Sequence, residues 1–245
     1  TLAAIEAPAN VRLACQIRPA ADLGVTRLVH PGAARQSALL RNTAEAHGVE
    51  RTLTILFLDI RGFTKLTQQR LPYDVVFDLN RLFEHLGDAI RAHGGRIDKY
   101  LGDGVMATFG TPAPGEDDAL NAIRAARRVV ADIDAMCAEG RTGGAPAVRV
   151  SVGVHFGPAT VGDVGPSRRL EFAVIGDTVN VASRLETATR NLGCRIVCSD
   201  ALVARAGGDA GALDGFVRHD GLMLRGRTAP IDVWLWGQGA EAPPA

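Results

Sequence analysis

The chain has 245 residues, enough for one large domain or a domain with appendages. Apolar residues make up 47% of it and 27 Lys plus Arg balance 27 Asp plus Glu, as expected for a soluble globular protein that no net charge draws to nucleic acid or to an anionic membrane. No apolar run approaches the roughly 20 residues that cross a bilayer.

No secretory leader opens the chain, and its first residue is Thr1, so it reads as an internal cut of a cytoplasmic protein. Cys15, Cys137, Cys194 and Cys198 are scattered and lack the paired CxxC spacing of a zinc site. They read as small core residues in a reducing compartment. Cys194 and Cys198 are four apart in CRIVC, a predicted strand, which puts both on one face.

Residues 1–30 form a segment of their own, with short apolar pieces between Pro, Asn and Asp. VRLACQIRP followed by DLGVTRLV resembles the C-terminal end of a plant-type 2Fe–2S ferredoxin domain, with Cys15 at the last cluster position. The other cluster cysteines are absent, so a cluster would need residues upstream of this chain. The alternative is an ordinary strand pair with one buried Cys.

His30-Pro31-Gly32 breaks structure, and residues 31–50 read as a linker whose helix, Ala33 to His47, stops at Gly48. A domain is expected from 51 to 237, followed by a flexible tail over 238–245. Its first strand is LTILFLDIRGFT, where Leu53, Ile55, Leu56, Phe57 and Leu58 make a buried apolar run ending in Asp59. Ile60, Arg61 and Gly62 turn the chain, and Phe63 and Thr64 lead into a helix start. Pro72 precedes a helix whose apolar residues Val75, Val76, Leu79, Leu82, Phe83, Leu86 and Ile90 recur at three- and four-residue steps until Gly94-Gly95.

In RIDKYLGDGVMATFG two short strands flank Gly102-Asp103-Gly104, where Asp-Gly suits a turn needing positive φ. A Pro-rich loop, Thr111 to Gly115, precedes a helix opened by Glu116, Asp117 and Asp118, with Leu120, Ile123, Val130, Ile133 and Cys137 as its stripe. Val148 to Phe156 alternates as a strand, Arg169 to Ile175 as another, and Thr178 to Leu192 reads as a helix. Two last strands lie around Arg225-Gly226-Arg227 within Phe216 to Trp236.

The order strand, helix, strand, strand, helix, strand predicts an α+β fold with a ferredoxin-like βαββαβ core. In that topology the first strand sits beside the hairpin, so Asp59 and Asp103 project to one edge. Two carboxylates there supply hard oxygen ligands for Mg²⁺ or Mn²⁺, and the backbone N–H groups of the turn and helix start suit phosphate oxygens. Taken singly, Asp59 reads as a turn cap, Asp103 as a turn residue, and Lys99, Asn180 and Arg184 as surface.

LTILFLDIRGFT, DKYLGDGVMATFG and EFAVIGDTVNVASRLE, in this order and spacing, resemble the catalytic domain of class III adenylyl/guanylyl cyclases over residues 52–236. The resemblance implies that Asp59, Asp103 and the Ile60 carbonyl hold two Mg²⁺ or Mn²⁺ ions per site. It implies that Gly62, Phe63 and Thr64 cradle the β- and γ-phosphates, and that Lys99 reads the purine. Asn180 and Arg184, four apart on one helix face, match the transition-state pair, and Arg225 or Arg227 falls where a basic residue meets the triphosphate. It also implies a homodimer with composite sites, Asp59 and Asp103 from one chain and Lys99, Asn180 and Arg184 from the other.

Lys99 can only donate hydrogen bonds, which suits adenine N1 and not guanine N1–H, so the expected substrate is ATP and the expected product cyclic AMP. The second purine-reading position falls on Ala173, which departs from the family pattern because alanine cannot accept the N6 proton. Asp163 is the candidate replacement, since an unpartnered buried amino group costs about 1–3 kcal/mol. A catalytically inactive nucleotide-binding module and a guanylyl cyclase are the competing readings. The GG[DE]EF signature of diguanylate cyclases is absent. His93 and His155 are expected to be structural.

Overall fold

The computed structural model of the chain describes residues 48–62, 72–111, 113–139, 148–164, 171–207 and 209–237. The expected ferredoxin remnant with Cys15, the linker helix and the tail lie outside them. In chain order the elements are β1 (Val49–Arg61), α1 (Pro72–Ala92), β2 (Arg96–Leu101), β3 (Gly104–Phe109), α2 (Asp118–Ala138), β4 (Arg149–Val164), β5 (Glu171–Ile175), α3 (Asp177–Asn191), β6 (Ile196–Ser199), α4 (Asp200–Arg205), β7 (Val217–Leu222) and β8 (Ile231–Trp236). One mixed sheet runs in the order β2-β3-β1-β4-β6-β8-β7, with β5 paired to β4 off that path. Its first four members are the βαββαβ arrangement expected from the sequence.

The sheet is covered on both sides, which is why β1 reads as a continuous apolar run and not as an alternation. Leu56, Leu58 and Ile60 face the larger core with Val105, Ala107, Phe109, Val150, Val152 and the apolar stripes of α1 and α2. Leu53 and Ile55 face the other way, with Met106, Val161, Val174 and Ala182 of α3. A third cluster packs Val181 and Leu185 of α3 on Val197, Val233 and Leu235. Helices α1 and α2 therefore lie on one face and α3 on the other.

The approach of α3 to the sheet depends on a missing side chain. A Cβ on Gly153 of β4 would sit 2.1 Å from Glu186 N and 2.5 Å from Ala182 O. Only glycine lets the helix backbone lie against the strand.

Several boundaries differ from the sequence reading. Strand β4 runs to Val164 and does not stop at Phe156: its pairing with β1 continues through Gly157 and Pro158, whose residues look like a break. Pro158 is exposed, beyond the part of the sheet that both helix layers cover. Helix α4 escapes a periodicity search because it has six residues; Ser199 caps it, its Oγ accepting from Leu202 N. Cys194 and Cys198 do not share a face. Strand β6 begins only at Ile196, and Cys194 packs in the α3 cluster while Cys198 faces the larger core. In the hairpin the positive φ falls on Gly102, at 68°. Gly104 serves a different need, since a Cβ there would meet Leu58 O at 3.0 Å and Asp59 Oδ1 at 3.5 Å.

Candidate active site

The residues of interest gather on the sheet face that carries α3. In β1 the odd-numbered residues Ile55, Phe57, Asp59 and Arg61 share that face. Asp59 pairs with Gly104 on one side and with Ser151 on the other. Asp103, in the β2–β3 turn, is thus delivered beside Asp59, as expected from the sequence. Burial holds the Asp59 carboxyl above the usual range, and the charge of Asp103 raises it further, while Arg190 and Arg61 oppose the shift. Two carboxylates forced together and partly desolvated are a natural seat for divalent cations, which would relieve the repulsion. The Ile60 carbonyl belongs to the adjoining peptide. Among the described residues no group of three or more His, Cys, Asp or Glu side chains converges. Gly62 follows with φ 85° and open space around its Cα. Phe63 and Thr64 lie outside the described residues.

Arg61, silent in the sequence reading, anchors this end of β1. Its Nε donates to Ser151 Oγ on β4 and its Nη2 to Thr189 Oγ1 on α3, the latter at 2.5 Å. Burial lowers its pKa, and Glu186 is the chief opposing charge. Burial raises the Glu186 carboxyl to about 7, with Asp59 adding to the effect and Arg61 countering it. The sequence places Arg61 two residues after Asp59 and Glu186 two residues after Arg184, and neither spacing by itself marks a contact.

Asn180 and Arg184 lie on α3, Asn180 exposed and Arg184 partly buried. They are one turn apart, on one side of the helix. The Leu224–Arg227 turn rests on this side: Arg227 N donates to Leu224 O at 3.0 Å, and a Cβ on Gly226 would lie 3.6 Å from Arg184 Nη2. Arg227 is ion-paired with Asp177 at the start of α3. Arg225 is exposed and, among the described residues, makes no ion pair. His155 is held by Ser199, Nδ1 to Oγ 2.7 Å, and burial with the nearby Arg227 charge lowers it to about 4, so it is a neutral packing residue. His93 Nδ1 lies 2.8 Å from Ala89 O.

Lys99 is on β2 opposite Met106, which puts it on the α3 face of the sheet. Ala173 pairs with Gly162 and Asp163 pairs with Phe172. Cross-strand partners share a face and successive residues alternate, so the Asp163 and Ala173 side chains leave opposite sides of the β4–β5 ribbon. Cavities of about 600, 470 and 420 Å³ open at other places, and none is lined by Asp59, Lys99, Asp103, Asn180 or Arg184. No helix among the described residues is long and apolar enough to cross a membrane.

Comparison with known proteins places the chain in a family. The model of the adenylate and guanylate cyclase catalytic domain matches residues 46–227. Adenylate cyclase 1 of Rhizobium meliloti is 37% identical over 153 residues, 62% of this chain and 23% of that protein. The adenylate cyclase of Anabaena cylindrica is 39% identical over 158 residues, 62% of this chain and 30% of that protein. The chain thus spans under a third of the length of these curated relatives. Among solved structures, the adenylyl cyclase CyaB of P. aeruginosa superposes with a TM-score of 0.68 at 25% identity, covering 80% of this chain and 99% of that one. A crystallised guanylyl cyclase superposes with a TM-score of 0.67 at 29% identity, covering 78% and 95%.

Proposed function

Because the chain belongs to the adenylate and guanylate cyclase catalytic domain family, we propose that it is an adenylyl cyclase whose sites form between two copies of it. In the proposed reaction the ribose 3′-oxygen of ATP attacks the α-phosphorus, the bond to the β-phosphate oxygen breaks, and cyclic AMP and pyrophosphate leave. The observation that carries the shared site is the spacing along α3. Asp59 and Arg61 sit against its C-terminal end, where Arg61 meets Thr189. Asn180 lies nine residues earlier, about 13 Å along a helix rising 1.5 Å per residue. That spacing makes it difficult for Asn180 and Asp59 of one chain to meet the same nucleotide. A second copy supplying the other half removes the difficulty, and a two-fold axis then makes two sites.

The chain's own residues divide the work. Asp59 and Asp103, with the Ile60 carbonyl, fit two Mg²⁺ or Mn²⁺ ions, which when bound would lower the pKa of the 3′-hydroxyl and neutralise triphosphate charge. Asn180 orients the ribose, and Arg184 offers a permanently charged fork of donors to the α-phosphoryl oxygens as charge builds there. Arg225, free of ion pairs among the described residues, is the better placed of the two turn arginines for the triphosphate, since Arg227 is engaged with Asp177. Lys99 donates to purine N1, which supports ATP over GTP. The adenylate cyclase names of both curated relatives support the same choice.

The test is to incubate the chain with ATP or GTP and Mn²⁺ and identify the cyclic product. Cyclic AMP is expected; cyclic GMP in its place would convert the reading to a guanylyl cyclase, and neither product at dimer-forming concentrations would leave a binding module. Mixing Asp59→Ala with Asn180→Ala chains then tests the shared site. Each variant alone is expected to be inactive and the mixture to regain activity; no recovery at any ratio refutes the composite site.

A further inference from the structure

Position 173 is alanine, and the replacement suggested by the sequence, Asp163, leaves the other face of its ribbon. A different carboxylate lies beside the purine-reading lysine. The β2–β3 ladder pairs Ile97 with Ala107 and Lys99 with Met106, so Asp98 is an extra residue in a bulge. A bulge places two successive residues opposite one partner, which lets Asp98 and Lys99 be neighbours where a regular strand would send them to opposite faces. Asp98 Oδ2 is 3.0 Å from Lys99 Nζ. The Asp98 side chain is 5% exposed and that of Lys99 40% exposed. Among the described residues Asp98 Oδ2 has no partner in hydrogen-bond geometry, so it is an ion pair by distance with its acceptor capacity unfilled. A buried carboxylate oxygen in this condition is costly unless a cation stays beside it.

We propose that Asp98 is a positioning residue for purine selection, pinning the Lys99 ammonium so that it meets N1 of adenine. This rests on the reading of Lys99 as the purine-reading residue. The physical argument is one of reach. A lysine carries four rotatable bonds and a point charge, and left alone it can place its donor anywhere along the purine edge. Guanine presents N1–H, a donor that repels the ammonium, but its neighbouring O6 is an acceptor. A mobile Lys99 could slide to O6 and accept GTP. A Lys99 held by the Asp98 charge keeps its ammonium beside the carboxylate and offers its donors at N1 alone. Asp98 thus sharpens the choice of base through Lys99, without touching the base and without replacing the N6 acceptor that Ala173 lacks.

The experiment measures binding of 3′-deoxy-ATP and 3′-deoxy-GTP, which cannot cyclise, together with kcat and KM for ATP and GTP, in the wild-type chain and in Asp98→Asn, Asp98→Ala and Asp163→Ala. For both Asp98 variants the ATP-over-GTP ratio is expected to fall about tenfold, the worth of one hydrogen bond's discrimination. The loss should appear in KM and in analogue affinity more than in kcat, and the melting temperature of Asp98→Asn should stay near that of the wild type. Equal loss for both purines, or an unchanged ratio, overturns the proposal, as does a ratio that falls in Asp163→Ala and not in the Asp98 variants. Analogue binding needs no turnover, so a wild type that binds adenine selectively but forms no cyclic AMP refutes the cyclase reading and leaves this inference standing.

Discussion

Replacing Gly153 with alanine tests how closely function depends on the seating of α3. The new Cβ would fall 2.1 Å from Glu186 N, 2.5 Å from Ala182 O and 2.8 Å from Glu186 Cα. All three are backbone atoms, so no side-chain rotation relieves the clash. Ordinary contact needs about 3.4 Å, so helix and strand must separate by about 1.3 Å. Overpacking of this kind costs about 1–3 kcal/mol, and the rigid partner puts Gly153→Ala at the upper end. At about 2–4 °C per kcal/mol for a chain of this size, the melting temperature should drop by about 6–12 °C. The same retreat carries Asn180 and Arg184 with it, and a displacement near 1 Å at positioning groups costs about 100-fold in rate. Thermal unfolding followed by circular dichroism, and kcat measured at least 15 °C below the variant's midpoint, check the two effects separately. A melting temperature within 2 °C of the wild type would refute the close approach. A normal kcat in a clearly destabilised variant would refute the link from helix seating to catalysis.

Two buried groups predict opposing pH effects. Glu186 keeps its proton to about pH 7 when folded but only to its ordinary 4.5 when unfolded, so its contribution to stability falls as pH rises through that window. His155 takes up its proton near pH 4 when folded and near 6.5 when unfolded, so its contribution falls as pH drops from 6.5 to 4. With metal removed by chelator, Glu186→Gln should raise stability at pH 8 relative to pH 5, and His155→Gln should raise it at pH 5 relative to pH 8; melting curves across pH 4–8 decide, and parallel profiles in all three chains would sink both assignments. The two turn arginines should separate by assay. Arg225→Ala is expected to raise KM for nucleotide by about 10–100-fold with little change in melting temperature, the worth of a charged hydrogen bond. Arg227→Ala should lower the melting temperature by a few degrees at most, since its ion pair with Asp177 is largely exposed; the reverse pattern would exchange their roles.

The core and the delivery of Asp59 and Asp103 to one edge were legible because they follow from local rules: an apolar run ending in an acid, a two-residue turn, and the βαββαβ order. What escaped depends on contacts between distant segments. Arg61 looks like any arginine after a strand until Ser151 and Thr189 are brought to it from 90 and 128 residues away. The bulge at Asp98 leaves no mark in the sequence, since RIDKYL reads as a regular strand whose neighbours alternate. The same assumption of regularity put Cys194 and Cys198 on one face, when only Cys198 is inside the strand. Pro158 looked like a strand end and is instead an exposed position in a strand that continues past it.

The Arg61 bridge has a consequence for how such a dimer could be controlled. In the proposed assembly each chain lends its acids to one site and its α3 to the other. Arg61 fastens those two lendings together, tying the end of β1 to both β4 and α3. A chain so braced resists movement of its own acids relative to its α3. The variable that remains is the angle between the two chains. An input that turns one chain against the other would open or shut both sites in the same stroke, without touching a catalytic residue.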